Sequence, residues 1–225
     1  MKSVAIMQPY FFPYLGYFQL IDAVDVYVNL DHVSFMKRSY MTRNVLKNET
    51  AIQVKVKGGS QNKNCTEVMV DFSDRYLVNL KKTIHHLYAK SPYYATIEEQ
   101  VLAPTLVERE VSISEWNLDI IKQICYYLDI KTTIVPSSFA FNDLDLKREA
   151  GLKSIVRQLD SNHYVNAIGG MELYDKEDFN QNGIHLNFIQ MEELAVDNRY
   201  ASILDLMMRY DASFLKEELK KYTLI

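Results

Sequence analysis

Two prolines four residues apart, Pro9 and Pro13, cut the apolar N-terminal stretch MKSVAIMQPYFFPYLGYF into separate structural pieces. Val4 to Met7 reads as a short β run stopped at Pro9, since proline lacks the N–H that a ladder needs and fixes its own φ. Pro13 suits the start of a helix, and Leu15, Phe18, Ile21 and Val24, with Leu20 beside them, keep helical spacing. Asp25-Val26-Tyr27-Val28-Asn29-Leu30 then alternates and continues to Asp31 as a second strand. Strand, rigid turn, helix and strand in this order open a parallel α/β unit.

The remaining pattern extends that unit. A polar, basic stretch holds Lys37, Arg38, Tyr40, Arg43, Asn44 and Lys47. AIQVKVK (51–57) and EVMVD (67–71) alternate as strands around a polar loop at 58–64. From Ser73 to Asp129 the periodicity is helical, punctuated by Pro92 and Pro104, and Ser114-Glu115-Trp116-Asn117 opens a helix to about Leu128. TTIV (132–135) reads as a buried strand ahead of Pro136, and Leu144 to Leu159 as an amphipathic helix. His163 to Ile168 and Ile184 to Ile189 read as strands, with Gly169-Gly170 closing the first, and Ser202 to Lys221 as helical. The predicted fold is α/β, a mainly parallel sheet flanked by helices with a helical middle section. It is expected to be a single domain over 1–225, with a helical subregion at about 73–130.

Composition narrows the function classes. A formal net charge of −4 gives no whole-protein basic field, so nucleic acid is not an expected partner. The N-terminus lacks the uninterrupted apolar run of a signal peptide. No segment approaches the roughly 20 apolar residues of a membrane span. Cys65 and Cys125 form no CxxC and read as free thiols in a reducing compartment, which makes the expected location cytoplasmic. With only seven glycines there is no GxGxxG and no GxxxxGK[ST], and HExxH and GxSxG are also missing. Adjacent His85 and His86 would point about 100° apart on a helix, so they read as a solvated face and no metal site is predicted.

Tyrosine is overrepresented, sixteen against ten Phe and one Trp. Rings with a hydroxyl at the edge suit a cleft for a polar, ring-shaped ligand, and they suit a half-exposed core as well. The strongest local signal is the first turn, Gln8-Pro9-Tyr10-Phe11-Phe12-Pro13-Tyr14-Leu15-Gly16-Tyr17. It would aim the unpaired N–H groups of a helix N-terminus at the carboxyl edge of the sheet, where open α/β folds bind ligands and where an anion is favoured. Gly16 would allow close approach of a ligand or a neighbouring backbone, and Tyr14 and Tyr17 share one helix face. The alternative is an aromatic plug that seals the sheet edge.

QPYFFPYLGYFQLI, FMKRSYMTRN, YVNAIGGMELYD and SILDLMMRYD, in this order along nearly the whole chain, resemble the WbqC-like family of bacterial surface-polysaccharide gene clusters. That resemblance implies a role near O-antigen or capsule synthesis and names no reaction. The order VAIMQP, PYLGYFQLI, DVYVNLDHVSF is similar, more weakly, to HIGH-type nucleotidyltransferase folds such as pantothenate synthetase. This second resemblance implies a nucleotidyltransferase-like Rossmannoid fold that binds ATP, forms an acyl-adenylate and passes the acyl group to an amine. It departs from the pattern where both histidines of HxGH are replaced, by Tyr14 and Tyr17, which removes two cationic donors.

The expected enzyme transfers an ATP-activated acyl or aminoacyl group to an amino sugar or nucleotide-sugar, with ATP and Mg²⁺ as cofactors. Other polysaccharide-biosynthesis enzymes are its expected partners. The catalytic candidates are Tyr17, Lys37, Arg43 and Asp31: the two bases would neutralise developing charge, and Asp31 would hold the metal or orient the amine. Gln8, Pro9, Tyr10, Tyr14 and Gly16, with Ser137 and Ser138 as a phosphate-contacting segment, are the cofactor-binding candidates. Asn44, Gly169, Gly170, Glu172 and Tyr174 are the substrate-binding ones, although Gly169-Gly170 also reads as a simple tight turn. The alternative reading is a non-catalytic protein that binds a nucleotide-sugar or glycan intermediate.

Overall fold

The computed structural model describes residues 2–146 and 149–225. From the N-terminus, β1 (Ser3–Met7) passes through the double-proline turn into α1 (Leu15–Asp22) and returns as β2 (Val26–Asn29). A hairpin of β3 (Arg43–Leu46) and β4 (Thr50–Gln53) follows, then a short pair, β5 (Val56–Lys57) with β6 (Met69–Val70). The helical middle is α2 (Tyr76–Tyr88), α3 (Tyr94–Ile97), a π turn at Glu98–Leu102, α4 (Ala103–Thr105) and α5 (Ile113–Tyr127). The chain then alternates: β7 (Thr133–Val135), α6 (Glu149–Gln158), β8 (His163–Ala167), α7 (Lys176–Gln181) and β9 (His185–Met191). It ends with α8 (Ile203–Arg209), α9 (Ala212–Leu219) and β10 (Tyr222–Leu224).

The central sheet has the order β10-β9-β8-β1-β2-β7. Its pairings are parallel except the last, β9 with β10. The chain winds outward from β1 through β2 to β7 and, on the other side, from β8 through β9 to β10. Strand order therefore reverses between β1 and β8. In such a sheet the connections diverge at the reversal, leaving a crevice at the carboxyl ends of the strands.

Period-two alternation divides the core. Val4, Ile6, Val26 and Val28 face Leu152, Ile155 and Val156 of α6 and Phe179 of α7. Ala5 and Tyr27 face the larger layer, where Leu15 and Phe18 of α1 pack with Trp116 and Ile120 of α5 and with Leu206 and Leu215 of the last helices. Both faces are covered, as a parallel sheet requires. Helix starts follow capping chemistry: Ser112 Oγ accepts the Glu115 N–H ahead of α5, and Asp211 Oδ1 accepts the Phe214 N–H ahead of α9.

Several expectations need revision. The basic stretch contains a strand, β3, so AIQVKVK pairs backward with Arg43–Leu46 as well as forward with Met69–Val70. TTIV is no buried strand: β7 is the edge of the sheet, and Thr133 is exposed. The helix expected over 144–159 is described from Glu149 to Gln158; 144–146 form a turn and bend, and residues 147 and 148 lie outside the described residues. Tyr222–Leu224 adds a strand where none is expected. Cys65 and Cys125 are both buried and free, and His85 and His86 are both exposed.

Candidate functional site

The β1–α1 turn is strained and heavily tethered. Phe12, fully buried, has φ 45°, a left-handed conformation costly for a bulky side chain. Its carbonyl oxygen accepts from Asn44 Nδ2 at 2.6 Å and from Ser202 Oγ at 2.8 Å. Asn117 Nδ2 donates to the Pro9 and Met41 carbonyls, and the Phe11 N–H to the Tyr40 carbonyl. Four residues from three separate parts of the sequence thus hold one turn. Such over-determination is what a strained backbone needs to persist.

Tyr17 belongs to this support and lies in the core. Its ring is buried in the core, and its hydroxyl donates to the Gln8 carbonyl at 2.7 Å while sharing a 2.5 Å hydrogen bond with the Tyr27 hydroxyl. Burial first, and the Tyr27 phenol second, push its pKa well above the ordinary value. Gly16 likewise serves internal packing: a Cβ there would lie 2.5 Å from Tyr14 Cε2 and 2.7 Å from Met191 Sδ. The close approach that the glycine permits is that of the Tyr14 ring and a methionine sulfur.

At the strand-order reversal lies a cleft of about 610 Å³. Met7 and Gln8 leave β1 on one wall, and Asn166 and Ala167 end β8 on another. Tyr10, Tyr14, Tyr40, Tyr174 and Tyr200 ring it, over apolar contributions from Ile6, Leu30 and Leu152. The rings meet in pairs, Tyr10 with Tyr40 at 5.7 Å and Tyr14 with Tyr200 at 6.0 Å between centroids. Burial raises the pKa of Tyr10, Tyr14 and Tyr174, so these phenols are neutral donors and acceptors near neutral pH. Asn166 Oδ1 accepts the Ala167 N–H, and its Nδ2 makes no hydrogen bond to protein among the described residues. Gly170 gives that amide its room, since a Cβ would stand 2.7 Å from Asn166 Nδ2. No charged side chain lines the cleft among the described residues.

The expected site residues divide accordingly. Gln8, Tyr10, Tyr14, Asn44, Gly169, Gly170 and Tyr174 line the cleft, although the Asn44 amide is committed to the turn. Pro9 is buried and presents its carbonyl to Asn117. Arg43 is exposed on β3, while Lys37 is exposed beside a different, smaller cavity with Lys55 and Tyr76. Neither lines the cleft with the tyrosines. Asp31 is buried, and its Oδ1 accepts both the Ser138 N–H at 2.9 Å and the Ser138 hydroxyl at 2.8 Å. Ser137 caps its own turn through the Phe139 N–H. Glu172 is exposed outside the cleft. The proposed triphosphate residues therefore do not converge. Among the described residues, no His, Cys, Asp and Glu side chains group as a metal site.

Sequence reasoning missed Tyr40, Tyr200 and Asn166 as lining residues. Asn166 carried a signal, a polar residue inside the apolar strand HYVNAI just ahead of two glycines. A second cavity of similar size, between α6 and α7, is walled by ion pairs: buried Lys153 meets Asp178 and Glu149. Its charged groups satisfy one another, whereas the cleft keeps an amide and several hydroxyls available.

A family model described as "WbqC-like protein family" matches residues 8–216. The protein Rv1507c of Mycobacterium tuberculosis (strain H37Rv), whose name describes it as uncharacterized, is 27% identical over 197 residues, covering 85% of this chain and 84% of the relative. No solved structure matches the chain significantly.

Proposed function

The chain belongs to the WbqC-like protein family, and from that premise we propose that it binds the sugar part of a nucleotide-sugar or glycan intermediate in the tyrosine cleft. The observation that carries this is the ring of five tyrosines around an uncharged lining that offers the amides of Gln8 and Asn166. Aromatic faces take the apolar faces of a sugar ring, and a few placed hydrogen-bonding groups fix its orientation. The compartment of this reading is the cytoplasm, supported by two buried free thiols. Among the described residues no helix is long and apolar enough to cross a membrane.

A catalytic form of the same reading is favoured by the strained Phe12 turn beside the cleft, since strain of this kind gathers at active sites. It is the transfer of an ATP-activated acyl or aminoacyl group to an amino sugar, with ATP and Mg²⁺ as cofactors. Thermal unfolding separates the two. A nucleotide-sugar that raises the melting temperature, with ATP and Mg²⁺ inert, supports binding alone. A rise with ATP and Mg²⁺, followed by pyrophosphate release when a carboxylic acid is added, supports transfer. No shift from any nucleotide-sugar, amino sugar or ATP would remove the basis for both.

A further inference from the structure

Beside the tyrosine cleft runs a groove of about 460 Å³, walled by the turn between β3 and β4 and by the start of the C-terminal helices. Cleft and groove share three lining residues, Tyr40, Asn44 and Tyr200. Tyr40 and Tyr200 on that shared rim are 64% and 63% exposed, each with its ring tilted against an inner tyrosine, Tyr10 and Tyr14 respectively.

The groove differs from the cleft in its chemistry. Lys47, Asn48 and Glu49 come from the turn, and Asn198, Asp205 and Arg209 from the facing wall. Asn48 and Glu49 have φ of 55° and 57°, the left-handed geometry of tight hairpin turns and an unusual one for glutamate. The wall is fixed: the Tyr88 hydroxyl donates to Asp205 Oδ1 at 2.6 Å and accepts the Lys47 N–H at 2.9 Å. Arg209 is held by Asp205 at 2.7 Å and Asp197 at 2.6 Å. Two cations and two carboxylates line the groove, so their charges balance. A phosphate placed there would meet Glu49 and Asp205 as well as Lys47. Hydroxyl groups donate and accept at once, and they suit a lining of mixed carboxylates, amides and cations.

We propose that cleft and groove are consecutive subsites for an oligosaccharide, its terminal sugar among the tyrosines and its next residues passing Tyr40 and Tyr200 into the groove. This rests on the reading of the cleft as a sugar site. The test is a glycan array of mono- to hexasaccharides probed with labelled full-length protein and with a Lys47→Ala/Glu49→Ala variant, hits being quantified by calorimetry. The expected result is that trisaccharides and longer bind about tenfold or more tighter than their terminal monosaccharide, roughly 1.4 kcal/mol per factor of ten. The variant is expected to lose that gain and keep the monosaccharide affinity. Equal affinity for all lengths, or a length gain that survives in the variant, overturns the two-subsite arrangement and leaves the cleft reading standing. No binding of any saccharide or nucleotide-sugar by folded protein overturns both.

Discussion

The side-chain nitrogen of Asn44 donates to two successive carbonyl oxygens, Phe11 O at 3.0 Å and Phe12 O at 2.6 Å. One buried amide thereby fixes the peptide planes on both sides of the left-handed Phe12. Its own Oδ1 accepts the Val45 N–H at 2.7 Å, which anchors the amide at the start of the β3–β4 hairpin.

Asn44→Ala is expected to lower stability by about 1–3 kcal/mol, the cost of leaving the Phe11 carbonyl without its donor, while Ser202 Oγ still donates to the Phe12 carbonyl. The measurement is urea unfolding, where the midpoint should fall and the m value stay constant. Asn44→Asp should be worse than alanine, since a carboxylate cannot donate and would face two carbonyl oxygens. Wild-type stability in the alanine variant would show that the turn holds itself.

Gly16→Ala adds one methyl group where the Tyr14 ring and the Met191 sulfur already stand within 2.7 Å of the new atom. Overpacking of this kind costs about 1–3 kcal/mol. Because Tyr14 lines the cleft, the variant should also weaken saccharide binding. A variant with unchanged melting temperature and unchanged affinity would argue that Tyr14 is free to move aside.

Alkaline titration should be biphasic. Burial holds the pKa of Tyr17, Tyr27 and Tyr164 above the ordinary phenol value, with all three rings enclosed. In the unfolded chain a phenol ionises near pH 10. Above about that pH the native state retains protons that the unfolded state has lost, so stability is intact below it and declines as pH rises further. Absorbance at 295 nm should therefore show a first group of the sixteen tyrosines ionising reversibly, and a second group appearing together with loss of the far-UV circular dichroism signal. A single smooth transition near pH 10 in folded protein would contradict the enclosed phenols.

Arg43→Ala distinguishes binding from ATP-dependent transfer. Arg43 is exposed on β3, and substitution of such a residue should change stability by less than about 0.5 kcal/mol. In the binding reading, saccharide affinity is also unchanged. In the transfer reading, where Arg43 would neutralise a phosphate of ATP, affinity for ATP should fall by roughly 1.5–3 kcal/mol, the range for a charge-assisted hydrogen bond. Calorimetry with both ligand types reads the difference.

The parallel unit and the place of the cleft were legible in the sequence because they depend on local chemistry: Pro9 ends a strand, Pro13 precedes a helix, and alternation continues at Val26. Gln8, Tyr10 and Tyr14 could be placed at the sheet edge for the same reason. The fate of Tyr17 was not legible, since its burial depends on Tyr27, a strand away, and on a helix that packs over both. Nor was the isolation of Lys37 and Arg43, which share a stretch of sequence with Tyr40 but not its position on the rim. Charge clustering in sequence says nothing about which side of a short hairpin each residue occupies. Asp31 and Ser138 illustrate the same limit: two plausible polar ligands are hydrogen-bonded to each other across 107 residues.

Ser202 reaches Phe12 across 190 residues of chain, and Gln19 of α1 donates to the Glu218 carbonyl from the opposite end of the sequence. During synthesis the first helix leaves the ribosome long before either partner exists. Contacts of such separation are slow to form, because the entropy of closing the intervening chain must be lost before they stabilise anything. A nascent chain that ends before Ser202 carries Tyr10 and Tyr14 but lacks a hydrogen bond that holds Phe12 left-handed, and it lacks Tyr200 only when it stops earlier still. On the proposed reading of the cleft as a sugar site, N-terminal fragments that stop before Ser202 should fail to bind saccharide even where they acquire helical structure.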